Sequence, residues 1–264
     1  MELLNKVSDR FAELTRTSPG FLHFDSMGFF RLSNKKNAML ESLNTLFHLI
    51  EEKGGNILVP SYSYTYTKQQ LFSLRNTLSD LGRVSDFLRA ANPEKRTTDA
   101  NFSYLCFGKN FSQKYFEARD WNTFGDSSLI ADIFNQDGFL MSAGDKLHYS
   151  TEIHFLEKML NVSYRFDKDF SGKIELLDGA VKDQTVKYFC RDVEFSNKYN
   201  SIVSFERLFS DMKLAGLIQD FVIDDGIEIN CVRFQIVYGF IKDKLKRDPF
   251  YLMKDKTTSR PISL

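Results

Sequence analysis

The amino-acid sequence predicts an α/β protein: a central mixed sheet flanked by helices, with an α+β C-terminal portion. Three observations predict this class. Amphipathic helices alternate with short buried strands over residues 1–165, glycines follow several of those helices, and a β-rich run begins near residue 166. Because neither an internal repeat nor a low-complexity linker interrupts the chain, we expect one domain over residues 1–264, with a motif-bearing α/β part at 1–165 and an α+β part at 166–264.

The first elements follow in the order helix, strand, helix, strand. Residues 1–17 predict a short helix, and FLHFDSMG (Phe21–Gly28) alternates apolar and polar residues like a strand that runs into a turn. Asn37–Lys53 has apolar residues at helical spacing and stops at a Gly-Gly pair, after which NILVPSYSY predicts a buried strand. The connection 63–95 is long and polar, with a helix predicted near Val84–Ala91, and connections of this length are usually functional.

The middle of the chain continues with shorter elements. Thr97–Phe107 begins as a loop and continues as an apolar segment, and Lys109–Arg119 predicts a helix. Ser127–Phe134 predicts a helix capped by serine, and DGFLMSAG predicts a short buried strand. After a further helix, SYRFDK, GKIELL and TVKYFCRDVEF predict strands. The C-terminal part predicts a helix in FERLFSDMKLAG, two strands about Asp225-Gly226, and a last helix in VYGFIKDKLKRDP.

Composition limits the partners and the compartment. Formal net charge is +0, from 35 basic and 35 acidic residues, so no basic field attracts nucleic acid. No run of 18 apolar residues predicts a membrane span, and the N-terminus lacks the apolar core of a signal peptide. The 3 cysteines are far apart, which is typical of a reducing compartment. We therefore expect a cytoplasmic protein with no nucleic-acid partner and no membrane insertion.

One pair of residues suggests acid–base chemistry. In YSTEIHFLEKMLNVSYR, His154 precedes Glu157 by three residues in a predicted helix, so both side chains lie on one face. If Ser150 or Thr151 caps the helix, its N-terminus disfavours an imidazolium while the carboxylate favours it, and a base near neutral pH results. The spacing alone favours the alternative, a solvent-facing polar pair.

Metal and thiol chemistry find less support. DKDFSGKIELLD (Asp167–Asp178) matches the oxygen positions of a calcium loop, but its last ligand is Asp and its flanks predict strands, which indicates a chance match. No zinc spacing occurs, and Cys106 and Cys231 lie in apolar runs typical of core residues. We expect no metal.

Five segments, in order, resemble the aminoglycoside 3-N-acetyltransferase family of coenzyme A-dependent enzymes. HFDSMG resembles its N-terminal strand, which ends in His-Ser-Ser, and GGNILVPSYSYTY resembles its Gly–strand–Pro-Thr-Tyr segment. RTTDANFSYLCFGKNF resembles Arg-Ser-x-His-Pro-x-x-Ser, and FGDSSLIADIFNQDGFLMSAG resembles the Gly-x-x-Ser-Pro helix with its following strand. STEIHFLEKMLNVSYR resembles Thr-x-x-His-x-x-Glu closing in Tyr-Arg. Together the segments cover Phe21 to Arg165.

The resemblance implies an N-acetyltransferase with acetyl-CoA as co-substrate. His154 is then the base that deprotonates the acceptor amine, and Glu157 supports it. Backbone N–H groups near Ser26–Gly28 are expected to stabilise the oxyanion, and a helix N-terminus at Asp126–Ser128 to bind phosphate. The expected acetyl-CoA residues are Asp25, Ser26, Met27, Gly28, Asp126, Ser127, Ser128 and Thr151. The expected acceptor residues are Tyr62, Arg96, Asp99 and Ser103.

The acceptor is harder to infer, because the sequence departs from the family pattern. The family's His-Pro is Asp99-Ala100, its Ser-Pro is Ser127-Ser128, and its His-Ser-Ser is Phe24-Asp25-Ser26. Asp99 is either an ammonium ligand or a residue that caps a turn. A neutral chain suits a polycation poorly and a phosphorylated or nucleotide-linked amino sugar better. Family members that resemble this sequence in the RT…FS loop are associated with surface-polysaccharide assembly, so the resemblance implies an amino-sugar acceptor of surface-polysaccharide biosynthesis. Two alternatives stay open: an aminoglycoside acetyltransferase that confers resistance, and a degenerate member that binds coenzyme A or a glycan without turnover. A homo-oligomer is also left open.

Overall fold

The computed structural model describes residues 2–24, 29, 36–144, 146–223 and 227–258. Its helices, in chain order, are α1 (Glu2–Thr15), α2 (Lys36–Glu52), α3 (Arg83–Ala91), α4 (Leu129–Asn135), α5 (Ile153–Met159), α6 (Val193–Lys198), α7 (Glu206–Leu214) and α8 (Phe234–Leu245). Its strands are β1 (Gly20–Phe24), β2 (Ile57–Pro60), β3 (Phe72–Ser73), β4 (Tyr104–Phe107), β5 (Trp121–Asn122), β6 (Phe139–Ala143), β7 (Arg165–Glu175), β8 (Val181–Arg191), β9 (Ser201–Val203), β10 (Gln219–Ile223), β11 (Ile227–Arg233) and β12 (Met253–Asp255).

Six strands form the central mixed sheet, in the order β10-β11-β6-β1-β2-β4. The three strands in its middle, β6, β1 and β2, are parallel, and the strands that flank them are antiparallel. These are the strands predicted around Leu22–Phe24, Ile57–Val59 and Phe139–Met141, and that prediction is confirmed. The C-terminal part contributes β10 and β11 to the same sheet through the pairing of β11 with β6.

Helices cover both faces of the sheet, as predicted for an α/β protein. Alternate strand residues point to opposite faces, and the buried apolar side chains accordingly divide into two clusters. One cluster joins Leu22 of β1 to α1 and α2, and the other joins Phe21 to α4, α5 and α8. The connection from β1 to β2, which contains α2, therefore covers one face of the sheet. The segment that leads into β6, which contains α4, covers the other face. Strand β1 is a switch point, where α/β sheets bind ligands at the carboxyl ends of their strands.

A second sheet has the order β3-β7-β8-β5, and β12 pairs with β9 in a separate two-stranded ribbon. The β7–β8 hairpin dominates the second sheet and turns at Gly179, whose φ of 84° suits glycine. Asp167–Asp178, the calcium-loop match, runs along β7 into this turn. Asp167 pairs with Lys158 at 2.6 Å and Asp169 with Lys187 at 3.7 Å, and residues two apart on an extended strand are spaced by about 6–7 Å, so the segment does not gather its oxygen atoms as a calcium loop does.

One sequence prediction differs from the structure, and another is not tested. The helix predicted at Lys109–Arg119 is only a 3₁₀ turn at Gln113–Phe116, because the carbonyl of Tyr115 accepts a hydrogen bond from Thr98 N and its ring packs on Trp121. The turn predicted at Asp225-Gly226 lies outside the described residues, although both flanking strands form. Within the described part of the chain, no helix is long and apolar enough to cross a membrane.

Candidate active site

Helix α5 carries the predicted catalytic pair. Its first residue is Ile153, so His154 lies in the first turn and Glu157 one turn later on the same face. His154 Nδ1 is 2.6 Å from Glu157 Oε2, and the side chain of His154 is 19% exposed while that of Glu157 is fully buried. The caps predicted at Ser150 and Thr151 accept only through their backbone carbonyls, from Ile153 N and His154 N. The pair is therefore in contact at an accessible position, and its role as base remains a prediction.

Two residues at the start of the second sheet complete the surroundings of Glu157. The chain leaves α5 through Asn161, whose φ of 52° reverses its direction, and returns with Tyr164 and Arg165 against the helix. Tyr164 Oη donates to Glu157 Oε1 at 2.9 Å, and Arg165 Nε forms an ion pair with Oε2 at 2.8 Å. Burial alone would raise the pKa of Glu157, but Arg165, His154 and Tyr164 outweigh it and hold that pKa below its ordinary value.

The environment of His154 keeps its imidazole neutral. Burial lowers the pKa of His154, the positive charge of Arg165 lowers it further, and Glu157 opposes both. The ring packs between Phe124 and Phe205, at centroid distances of 5.8 Å and 5.5 Å. Apolar walls of this kind disfavour the charged form. A neutral imidazole is the form that can accept a proton.

His154 lines a cleft of about 730 Å³, which we call the His154 cleft. It lies between the N-terminal end of α5, the second sheet and the ribbon of β9 and β12. Its walls carry aromatic rings, three long cationic side chains and one acidic side chain. Besides His154, its lining includes Tyr64, Tyr149, Thr151, Arg165, Arg191, Phe205, Glu206 and Lys254.

A second cleft of about 660 Å³ opens at the carboxyl ends of β1 and β2, and we call it the strand-end cleft. Its walls are mainly apolar, with Leu22, Val59 and Val84 among them, and Arg83 and Lys146 also line it. Tyr64, Tyr149 and Thr151 line both clefts. The two clefts therefore meet at Thr151, three residues before His154, where two substrates could react.

A buried polar cluster beneath this junction was missed by sequence reasoning. Glu152 Oε2 is 2.9 Å from His23 Nε2 of β1, and Oε1 accepts from Tyr104 Oη at 2.7 Å and from Tyr62 Oη at 3.3 Å. Burial alone would raise the pKa of Glu152, but its electrostatic interaction with His23 and these hydrogen bonds lower it. His23 and Glu152 are 129 residues apart, and the sequence signal for them is that they lie within the segments HFDSMG and STEIHFLEKMLNVSYR.

Three predicted acceptor residues lie in the interior and line neither cleft. Arg96 donates to Ser103 Oγ and to the carbonyls of Thr77 and Ser61, and its guanidinium stacks on Phe72. Ser103 Oγ donates to the carbonyl of Ser61. This arrangement joins three loop segments and commits three of the five N–H donors of Arg96, and the hydroxyl of Ser103, to partners inside the protein.

Asp99 follows the turn-capping alternative. Its Oδ1 accepts from the backbone N–H groups of Asn101 and Phe102, and Thr123 and Tyr188 also hydrogen-bond its carboxylate. The side chain is 5% exposed, and burial raises its pKa despite these donors. Of the four predicted acceptor residues, Tyr62 alone lines a cleft, and it is the strand-end cleft.

The predicted acetyl-CoA residues divide into three groups. Asp25, Ser26, Met27 and Gly28 lie outside the described residues. Ser128 caps α4, where its side chain accepts from Ala131 N, and Asp126, Ser127 and Ser128 line neither cleft. Thr151 lies at the junction. The structure therefore brings Thr151 and His154 together but not the start of α4.

Comparison with known proteins agrees with this architecture. The family profile described as aminoglycoside 3-N-acetyltransferase matches residues 22–220. The chain belongs to this family, and it is an N-acetyltransferase. Comparison with curated proteins gives no match.

Solved structures show the same fold at low sequence identity. The chain is similar to sisomicin-bound AAC-VIa, with 15% identity, a TM-score of 0.69, and coverage of 93% of this chain and 97% of that one. It is similar to AAC-IIIb bound to CoASH, with 13% identity, a TM-score of 0.65, and coverage of 91% and 95%. It is also similar to the YokD protein from Bacillus subtilis, with 12% identity, a TM-score of 0.63, and coverage of 93% of both chains.

Proposed function

We propose that this protein transfers the acetyl group of acetyl-CoA to a primary amine of an aminoglycoside-type amino sugar. The observation that carries the proposal is the contact of His154 with a buried, ionised Glu157 at the wall of an open cleft. We further propose that the whole chain acts as one catalytic unit, because β10 and β11 of the C-terminal part belong to the central sheet.

The acceptor nitrogen loses two protons in the reaction. An alkylammonium has no lone pair, so His154 Nε2 first takes one proton from it, and the neutral amine nitrogen then attacks the thioester carbonyl. The C–N bond forms, the tetrahedral oxyanion collapses, and the C–S bond breaks to release the coenzyme A thiolate. This thiolate is a good leaving group and takes up the second proton, which the nitrogen loses as the amide forms, to give the free thiol. Glu157 stabilises the imidazolium that forms on His154.

The two clefts suggest separate routes for donor and acceptor. We assign acetyl-CoA to the strand-end cleft, because it lies at the switch point of the sheet and combines apolar walls with Arg83 and Lys146. We assign the acceptor to the His154 cleft, because the base lines it. The thioester would then reach the acceptor at Thr151. The solved AAC-IIIb complex with CoASH supports coenzyme A as the donor.

Family membership and the sisomicin complex of AAC-VIa favour an aminoglycoside as acceptor. One observation favours a second candidate, the phosphorylated or nucleotide-linked amino sugar of surface-polysaccharide biosynthesis. The His154 cleft carries three cationic side chains, of which Arg165 pairs with Glu157 at 2.8 Å and Lys254 with Glu206 at 2.7 Å, so Arg191 supplies the excess positive charge. A lining with excess positive charge attracts a phosphate and repels a polycation.

The test is thiol release from acetyl-CoA with two acceptors, sisomicin and a nucleoside-diphosphate-linked amino sugar. If the acceptor is an aminoglycoside, kcat/KM should be higher for sisomicin. If the acceptor is a nucleotide-linked amino sugar, kcat/KM should be higher for the nucleotide sugar. The matched variants are Arg191→Met and Arg191→Glu, which should raise kcat/KM for sisomicin and lower it for the nucleotide sugar. Coenzyme A binding without thiol release from acetyl-CoA, with either acceptor, would contradict the proposed transfer and support the non-catalytic alternative.

A further inference from the structure

Arg165 makes three contacts at the base of the His154 cleft. Its Nη2 is 3.2 Å from His154 Nε2, its Nε is 2.8 Å from Glu157 Oε2, and its Nη1 donates to the carbonyl of Phe189 at 3.1 Å. The side chain is 8% exposed. The guanidinium is therefore held by a carboxylate and a strand carbonyl while one nitrogen faces the catalytic imidazole.

These contacts select one form of the imidazole. A guanidinium donates hydrogen bonds and cannot accept them, so Nε2 of His154 must offer its lone pair to Arg165. The ionised Glu157 only accepts, so Nδ1 must carry the hydrogen that points at Oε2. Protonation at Nε2 would direct an N–H group against the N–H groups of Arg165. Both neighbours thus favour the neutral imidazole with its lone pair on Nε2.

We propose that Arg165 is a positioning residue that holds His154 as the neutral Nδ1–H tautomer, and that its Nη2 group occupies the place of the acceptor amine. The second half rests on the proposed function, since it takes the amine to be the group that reacts at Nε2. On binding, an ammonium N–H replaces a guanidinium N–H at the same lone pair. The anchors at Glu157 and Phe189 keep Arg165 near the site after the exchange.

Other charged groups near His154 do not make this contact. Glu152 lies two residues before it on the same chain segment and favours the charged imidazole. Phe124 and Phe205, which pack on the ring, carry no charge. The remaining titratable residues of the cleft are His148, Tyr64, Tyr149, Arg191, Glu206 and Lys254. Arg165 is therefore the cation whose removal should act most directly on the imidazole.

Nitrogen NMR of histidine-labelled protein tests the first half without any substrate. The chain has 4 histidines, so His154→Gln identifies the His154 signals. In the wild type we expect the Nδ1–H tautomer at neutral pH. In Arg165→Met the titration midpoint of His154 should move to higher pH, because a neighbouring positive charge is lost while Glu157 remains. An Nε2–H tautomer in the wild type, or an unchanged midpoint in Arg165→Met, overturns the proposal.

Arg191→Met is the matched control, because Arg191 is the cross-strand partner of Arg165 and lines the same cleft. It removes the same charge without the contact to His154, so its midpoint should stay near that of the wild type. An equal shift in both variants would show a general field and contradict the positioning role. Arg165→Lys keeps the positive charge but not the forked guanidinium, so the titration midpoint of His154 should lie between those of the wild type and Arg165→Met. This variant preserves the test if Arg165→Met fails to fold.

Kinetics tests the second half separately. In Arg165→Met the ratio of kcat/KM at about pH 5.5 to that at pH 8 should fall about tenfold, because more of the base is protonated. The acceptor KM at high pH should fall, since no guanidinium must leave Nε2, and an unchanged or increased KM contradicts displacement. If the wild type acetylates no amine, the proposed function fails while the NMR result still decides the role of Arg165.

Discussion

His154 and Glu157 illustrate what a local motif can establish. Their contact was predictable, because residues three apart on a helix always share a face. What distinguishes them from a solvent-facing pair is Arg165 and Tyr164, which close over Glu157 and bury its charge. Local spacing contains no information on burial, so the sequence alone favoured the solvent-facing alternative. The nearby family motif, rather than the spacing, pointed to the base.

Substitution of the pair should separate chemistry from binding. His154→Gln keeps a polar side chain but removes the base, so kcat should fall by about 10²–10⁴-fold. Glu157→Gln should cost less, since the imidazole remains and only its support is lost. Steady-state thiol release and calorimetric titration with acetyl-CoA measure the two effects. A loss of acetyl-CoA affinity comparable to the loss of rate would contradict the assignment of His154 to the acceptor side.

The pH dependence of the wild type follows from the lowered pKa of His154. The base must be neutral to act, so kcat/KM should fall only as the pH drops below that pKa. Because burial and Arg165 place it below the ordinary histidine value of about 6.5, activity should persist to lower pH than for a free imidazole. A pH profile of kcat/KM checks this, and an acidic limb centred above the ordinary value counts against it.

At the scale of elements, the hydrophobic pattern predicted strands that depend on local sequence but not segments whose conformation depends on contacts with distant parts of the chain. Strands β1, β2 and β6 were predictable because each is a short apolar run near a glycine or proline. The segment Lys109–Arg119 was not, because Tyr115 is committed to Thr98 and Trp121 in other parts of the chain. For the same reason Arg96 resembled a ligand in sequence, although its acceptors are carbonyls from distant loops.

The link between β1 and the start of α5 is the buried His23–Glu152 pair. Glu152→Gln leaves His23 without its carboxylate, and loss of a hydrogen-bond partner of a buried polar group typically costs about 1–3 kcal/mol in the free energy of unfolding. Urea denaturation at pH 7 measures this loss. A double variant, His23→Phe with Glu152→Leu, should be less unstable than Glu152→Gln, because neither member of the pair is left without its partner.

The same pair has a defined pH signature. The pKa of Glu152 is lower in the folded than in the unfolded chain, so its stabilisation is present above the unfolded pKa and is lost as the pH falls through the folded value. The stability difference between wild type and Glu152→Gln should therefore shrink below about pH 4. A difference that stays constant down to low pH would show that packing, not charge, dominates this site.

For the whole molecule, the sheet explains why two clefts meet at one residue. Strand β1 lies between β2 and β6, and the helices that lead into these two strands cover opposite faces of the sheet. The strand-end cleft opens at the carboxyl end of β1, between these connections. The β7–β8 hairpin, which follows α5 directly, supplies Arg165 and Arg191 to the other cleft. The sequence predicted both groups of strands, but not that their loops converge on Thr151, because convergence depends on how the sheets pack.

Ligand-induced stability should reveal which cleft holds acetyl-CoA. A ligand that binds only the folded chain stabilises it by about 2.7 kcal/mol at 100 times its dissociation constant, which raises Tm by several degrees. Val84→Trp partly fills the strand-end cleft and should abolish this rise, while Ile202→Trp, a matched change in the His154 cleft, should retain it. His154→Gln should also retain it, because the base contacts the amine. The opposite pattern, with the rise lost in Ile202→Trp alone, would assign the donor to the His154 cleft and reverse the proposed direction of transfer across Thr151.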